Sequence, residues 1–136
     1  MTTLTKFAHS CFTITIDGQS LVVDPGVYTD DFAMPQQVAA VLITHAHPDH
    51  CSPALIKRII QAFPEAEIIS VDDIVVDSTT ISLPEGILSV RHAIAAVPGD
   101  TYQIGPFTLE FFGGEHAVVS PDIPHLHNLA ALINNR

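Results

Sequence analysis

The segment that constrains this chain most joins a continuous apolar run to a cluster of potential metal ligands. Residues 38–44 (VAAVLIT) are apolar without alternation, a pattern typical of a strand buried on both faces. Four side chains that can bind a metal follow immediately: His45, His47, Asp49 and His50. Residues two apart on an extended segment point the same way, so His45 and His47 can converge on one ion. Pro48 stiffens the turn, which lets Asp49 and His50 aim at a neighbouring position.

The ligand types indicate which ions such a cluster can hold. Imidazole and carboxylate together suit zinc, manganese or iron, and catalytic zinc sites keep one position for water. The alternative is a polar loop that is histidine-rich by chance, but this spacing at the end of a buried strand favours a metal site. Cys51 directly follows the cluster. We expect it to be a small buried thiol and not a ligand, because free cysteine is usually a core residue.

The flanking sequence predicts a mixed α/β fold in one domain, residues 1–136, with a largely antiparallel sheet. A helix over 53–63 follows from Ser52 as N-cap, Pro53 in the first turn and apolar residues on one face. Asp17-Gly18 is a hairpin turn signal. Strands are predicted at 11–16, 20–23, 38–44, 67–71, 88–97, 101–104, 106–112 and 128–133. Residues 72–86 fit either a short helix or a loop.

Charge and hydropathy exclude several classes of partner. The chain has 15 acidic residues against five Lys and Arg, for a formal net charge of −10, which repels nucleic acid and anionic membranes. The mean hydropathy is high at +0.34, yet no apolar run approaches the roughly 18 residues of a membrane-spanning helix. With two isolated cysteines and no recognisable signal peptide, a cytoplasmic protein is expected.

Three stretches together resemble one known family. Thr44–His50 (THAHPDH) is similar to the HxHxDH signature of the metallo-β-lactamase superfamily. Residues 20–26 (SLVVDPG) resemble the strand ending in Asp that precedes this signature, and residues 113–116 (GGEH) resemble the loop that bears the next ligand histidine. Residues 9–12 (HSCF) and the compact spacing are most similar to the branch that contains ascorbate-6-phosphate lactonase and many uncharacterised metal-dependent hydrolases.

The resemblance implies roles for individual side chains. His45, His47 and His116 would hold a first metal, and Asp49 and His50 would contribute to a second, with Asp49 also positioning the attacking water or moving a proton. For His116 the alternative is an ordinary loop histidine. Asp24 would orient a ligand imidazole, or else simply form the turn before Pro-Gly. His9 is expected to be structural. His125 and His127, in a Pro-rich stretch without an adjoining acidic partner, are expected in a solvated loop that could face substrate.

The sequence departs from the family pattern after the GGEH stretch. That pattern continues with a bridging Asp and a last His, but no acidic residue follows Asp122 here. The chain therefore matches the N-terminal part of the αββα sandwich, and we expect a homo-oligomer that buries sheet faces left exposed. The function implied is hydrolysis of a small ester, lactone, amide or phosphoester by a metal-activated water. The alternative is a non-catalytic metal-binding or assembly module.

Overall fold

The structure is a computed structural model that describes residues 1–118 and 120–135. Within them lie twelve strands and one helix. In chain order they are β1 (Thr2–Lys6), β2 (Phe12–Ile16), β3 (Gln19–Val23), β4 (Val38–Leu42), α1 (Pro53–Ala62), β5 (Glu67–Ser70), β6 (Val75–Asp77), β7 (Thr80–Leu83), β8 (Gly86–Ser89), β9 (Ala93–Ala95), β10 (Thr101–Ile104), β11 (Phe107–Glu115) and β12 (His127–Ile133). The fold is mixed α/β, mostly sheet, as the sequence predicted.

The main sheet has six strands in the order β1-β2-β3-β4-β5-β9. Its first three strands form an antiparallel meander, whereas β3, β4, β5 and β9 pair in parallel. The central strand β4 has four of its five residues buried, which agrees with a strand covered on both faces. The turn between β2 and β3 is the predicted one, with positive φ at Asp17 and Gly18.

Helix α1 connects β4 to β5 and packs its apolar side on the main sheet. The Ser52 side chain accepts a hydrogen bond from the Leu55 amide, and Pro53 occupies the first turn. Leu55, Ile56 and Ile59 are buried in the same core as β4 and β5. The helix ends at Ala62, one residue before the predicted end, because Phe63 leaves helical geometry and serves as the C-cap. No helix in the described part of the chain is long and apolar enough to cross a membrane.

Two three-stranded antiparallel sheets complete the fold, one of β6-β7-β8 and one of β10-β11-β12. The predicted single strand over 88–97 is wrong. β8 belongs to the first small sheet and β9 to the main sheet, and the exposed Arg91 and His92 lie in the bend between them. Residues 72–86 were predicted to form either a short helix or a loop, but they include strands β6 and β7. Strand β1 was not predicted from the sequence.

An apolar groove runs between the N-terminal hairpin and the edge strand β12. Its cavity of about 620 Å³ is lined mainly by six apolar side chains: Leu4, Phe12, Ile14, Ile16, Ala131 and Ile133. Leu4 is 66% exposed. This groove is the kind of open sheet face that the sequence analysis expected a second copy to cover, and the self-association itself stays a prediction.

Candidate metal centre

The site lies at the carboxyl edge of the parallel strands β3 and β4. Because these strands run side by side in the same direction, the residues that follow them emerge together. Asp24 directly follows β3, and its amide donates to the Leu42 carbonyl over 2.9 Å. His45 to His50 follow β4 and precede α1. Sheet topology therefore brings the SLVVDPG and THAHPDH stretches into one place.

Three histidines form a first cluster, as the sequence predicted for His45, His47 and His116. One ring nitrogen from each lies within 4.8 Å of the others. The ring centroids are 4.9 Å apart for His45 and His47, 4.8 Å for His45 and His116, and 4.6 Å for His47 and His116. His116 arrives from the end of β11, 66 positions after His50 in the chain, so a common centre requires the tertiary fold.

In His45 and His116, hydrogen bonds determine which ring nitrogen remains available to bind a metal. The Thr44 hydroxyl donates to Asp24 Oδ2 over 2.9 Å, so its oxygen accepts from His45 Nδ1, also at 2.9 Å. His116 Nδ1 donates to the Ala117 carbonyl over 2.8 Å. In both rings the Nε2 lone pair therefore stays available, the arrangement usual for histidines that bind metals.

Burial also favours the metal-binding form of His45. Its exposed fraction is 5%. Desolvation, helped by the neighbouring His50, lowers the pKa of His45 to about 4. The ring is therefore neutral at physiological pH, and a neutral imidazole is the form that coordinates a cation.

A second cluster consists of His9, Asp49 and His50, whose ligand atoms also lie within 4.8 Å of one another. His50 Nδ1 contacts Asp24 Oδ2 at 2.7 Å, and this hydrogen bond raises the pKa of His50 against the opposing effect of desolvation. Desolvation opposes ionisation of Asp49, but the hydrogen bond from His9 and the charge of His50 together lower the pKa of the carboxyl. Asp24 thus contacts the imidazole of His50, one of the predicted ligands, and it also lies in the turn, with a φ of 47°.

The two sequence stretches are locked together through backbone contacts. The Val27 amide donates to the Pro48 carbonyl over 2.9 Å, and the Ser52 amide donates to the Pro25 carbonyl over 2.8 Å. Gly26 lies so close that a Cβ there would be 1.8 Å from the Asp49 carbonyl oxygen. The glycine is needed because no side chain fits between these loops.

A cavity of about 510 Å³ opens beside the first cluster. His47 and His116 form one wall, and residues 117–118 and 120–126 form the rest. The side chains on this wall include Val118, Ile123 and the carboxylate of Asp122. His125 also lines the cavity, and its Nε2 contacts the His116 carbonyl at 3.1 Å. The predicted position of His125 in a loop that faces a possible substrate thus agrees with this placement.

The prediction that His127 lies in a loop without an acidic partner is wrong. It begins strand β12, and its Nδ1 lies 2.6 Å from Asp72 Oδ1, while its amide donates to Asp73 Oδ2 over 2.7 Å. These acidic partners follow β5 and are more than fifty residues away in sequence, so only the fold brings them together. His127 therefore lies outside both clusters. Cys51, in contrast, is fully buried, as expected.

Comparison with known proteins agrees with this geometry. The family model described as the beta-lactamase superfamily domain matches residues 3–124. The chain belongs to the metallo-β-lactamase superfamily. A protein of Mycobacterium tuberculosis is 30% identical over 97% of this chain and 57% of its own length. A UPF0173 metal-dependent hydrolase of Ignicoccus hospitalis is 35% identical over 56% of this chain and 34% of its own length, which supports the branch that the HSCF stretch suggested.

Solved structures show the same fold. A metallo hydrolase from Ignicoccus hospitalis superposes with a TM-score of 0.62 and 25% identity, over 97% of this chain and 55% of that one. The chain spans about half the length of the relatives it matches. Family membership is therefore shown for the fold, in a family whose relatives include proteins named as metal-dependent hydrolases.

Proposed function

We propose that this chain is a hydrolase that uses a divalent metal, zinc in the first instance, to cleave a small ester, lactone or amide. The observation that carries the proposal is the convergence of His45, His47 and His116, whose ligand atoms lie within 4.8 Å of one another beside an open cavity. Three imidazoles, of which His45 and His116 have Nδ1 occupied and Nε2 free, fit a zinc ion and leave a coordination position for water. Manganese or iron would fit the same donors.

The chain's own residues have separable roles in this proposal. The three histidines would hold the ion, with Thr44 fixing the tautomer of His45 and the Ala117 carbonyl that of His116. When bound, the ion supplies Lewis acidity and lowers the pKa of a coordinated water towards about 7. Asp49, whose carboxyl has a lowered pKa and is 34% exposed, remains ionised to orient a water or accept its proton.

The cavity favours an uncharged substrate over a phosphoester. Its wall is largely apolar, with Val118 and Ile123 offering hydrophobic contact. The charged residue in that lining is Asp122, whose carboxylate would offset part of the attraction of the bound cation for an anionic substrate. The formal net charge of −10 acts in the same direction. Esters, lactones and amides are therefore preferred among the substrates that the sequence analysis allowed.

The test combines metal analysis with a substrate panel. Bound metal is measured by elemental analysis, and turnover is followed with p-nitrophenyl acetate, a simple lactone and p-nitrophenyl phosphate, with and without chelator. We expect chelator-sensitive turnover of the first two, lost in His116→Ala and kept in His92→Ala, a control at an exposed histidine outside the site. Metal binding without turnover would instead support the alternative, a non-catalytic metal-binding module. Equal turnover by His116→Ala and His92→Ala would refute the assignment of His116 to the metal site.

The cellular setting is part of the same proposal. Cys11 and Cys51 are both free and buried, and burial raises the pKa of each thiol to about 12. Such thiols are unreactive and need no oxidising environment. We propose a cytoplasmic location, with which these thiols are compatible, to be checked by fractionation of cells that express the protein.

A further inference from the structure

The geometry points to His9 as a ligand of a second metal ion, held together with Asp49 and His50. This inference rests on the proposed function, since the second ion would lie beside the first in the same centre. The family pattern predicted only two protein ligands for the second ion in this chain, Asp49 and His50. His9 was expected to be structural, but the fold brings it next to these two predicted ligands.

Interatomic distances support a shared ion. His9 Nε2 lies 2.9 Å from Asp49 Oδ2, and His50 Nε2 lies 3.5 Å from the same oxygen. Ligand atoms that each lie about 2.1 Å from one ion are separated by about 3–3.5 Å when the angle between them is near tetrahedral or square. Both nitrogens therefore already have coordination-shell spacing to the Asp49 oxygen, and the ligand atoms of His9 and His50 lie within 4.8 Å of each other.

The orientation of His50 supports the same conclusion. Asp24 Oδ2 occupies Nδ1 of this ring at 2.7 Å, which directs Nε2 towards Asp49 and His9. A carboxylate behind a ligand imidazole is the usual support of a metal-binding histidine. The first cluster has the same design, since Thr44 and the Ala117 carbonyl occupy Nδ1 of His45 and His116.

The backbone of His9 is held in a strained conformation. Its φ is +56°, in the left-handed region that histidine adopts uncommonly. The neighbouring Ser10 hydroxyl donates to the Asp49 carbonyl over 2.6 Å, and the Lys6 ammonium donates to the His9 carbonyl. Strained residues that persist because their surroundings fix them are concentrated at functional sites. Here the contacts fix the loop after β1 directly against the Asp49 loop.

The two clusters are close enough to form one binuclear centre. The His45 and His50 ring centroids are 4.1 Å apart, and those of His9 and His50 are 6.2 Å apart. His50 therefore lies between the first cluster and His9. The cavity that His47 and His116 line lies beside this joint cluster.

The experiment counts ions in the purified chain. Metal-free protein is equilibrated by dialysis with Zn²⁺ at the lowest free concentration that saturates the wild type, and its bound zinc is counted. In parallel, Mn²⁺ titrations are followed by electron paramagnetic resonance for the signal of a coupled pair. We expect two ions per wild-type chain. His9→Gly, which suits the positive φ, should bind one ion and lose the coupled signal, with the second dissociation constant raised at least tenfold. His92→Gly, the matched control, should bind two.

Each result decides the question. Two ions in His9→Gly, or one ion in the wild type, overturns the role of His9 while the three-histidine site stands. No bound ion in the wild type overturns the proposed function as well. Retention of the first ion by His9→Gly shows that this variant is folded. If it retains none, His9→Asn, which also tolerates this φ, is counted in its place and must bind one.

Discussion

Replacement of Asp24 by Asn is expected to disrupt the metal centre without touching a ligand. The Asp24 carboxylate accepts three hydrogen bonds, from the Thr44 amide at 2.8 Å, the Thr44 hydroxyl at 2.9 Å and His50 Nδ1 at 2.7 Å. An Asn side chain has the same shape but a single oxygen. If that oxygen keeps the Thr44 amide, the new NH₂ group faces the Thr44 hydroxyl and the His50 ring.

The consequence is that His50 adopts the opposite tautomer. Facing a donor, His50 Nδ1 must accept, which moves the ring proton to Nε2, the atom needed by a metal. Loss of a carboxylate behind a metal-binding histidine typically costs 10–100-fold in affinity, or about 1.4–2.8 kcal/mol. Because Asp24 is only 6% exposed, replacing its charged hydrogen bonds should also lower the free energy of unfolding by about 2–3 kcal/mol.

The assay is a competition between the protein and a chromophoric chelator for Zn²⁺, with a urea melt of the metal-free protein alongside. Asp17→Asn is the control, since Asp17 also has a positive φ that Asn tolerates but its side chain is 80% exposed. The control should match the wild type in both measurements. A zinc affinity for Asp24→Asn within twofold of the wild type, in a folded protein, would refute the reasoning.

Three further predictions follow from other features of the structure. Gly26→Ala places a Cβ 1.8 Å from the Asp49 carbonyl oxygen, so it should lower stability by at least the 1–3 kcal/mol typical of overpacking; an unchanged thermal midpoint would contradict this. In the metal-free protein, NMR should show His45 unprotonated down to about pH 4 and His50 titrating above its ordinary pKa. Unfolded His45 takes up its proton near pH 6.5, so this residue should lower the free energy of unfolding progressively as the pH falls from 6.5 towards 4. The stabilisation from His50 has the opposite dependence: it is fully present below about pH 6.5 and is lost as the pH rises through the raised pKa of the folded state. The groove around Leu4 should be covered by a second copy, so light scattering should show a dimer that Leu4→Asp weakens, and a wild-type monomer would count against it.

Local sequence signals predicted the part of the site that depends on neighbouring residues. The apolar run that became β4, the ligand cluster after it and the Ser-Pro start of α1 are all read from consecutive residues, and the structure has each of them. β1 was missed because Thr2–Lys6 is exposed and mostly polar, and its strand form depends on pairing with β2.

Long-range contacts account for the surroundings of His9 and His127 that the sequence did not predict. His9 was expected to be structural, and its contact with Asp49, which spans 40 positions, was not predicted. His127 was expected in a loop without acidic partners, yet Asp72 and Asp73 reach it across 54 or more positions. No periodicity in the sequence reports such contacts, because they depend on how separate sheets pack.

The position of Asp24 explains why the two clusters should not behave as independent sites. One of its oxygens, Oδ2, receives both the Thr44 hydroxyl, which holds His45, and Nδ1 of His50. A metal bound by His45 polarises its ring and strengthens the hydrogen bond to Thr44, which in turn changes the charge that Oδ2 offers to His50. Because such chains polarise one another in a buried setting, occupation of the first cluster should alter the affinity of the second through Asp24. In the Asp24→Asn protein this coupling should disappear even where both ions still bind at high concentration, so a double titration that still shows cooperativity in that variant would assign the coupling to direct contact between the ions instead.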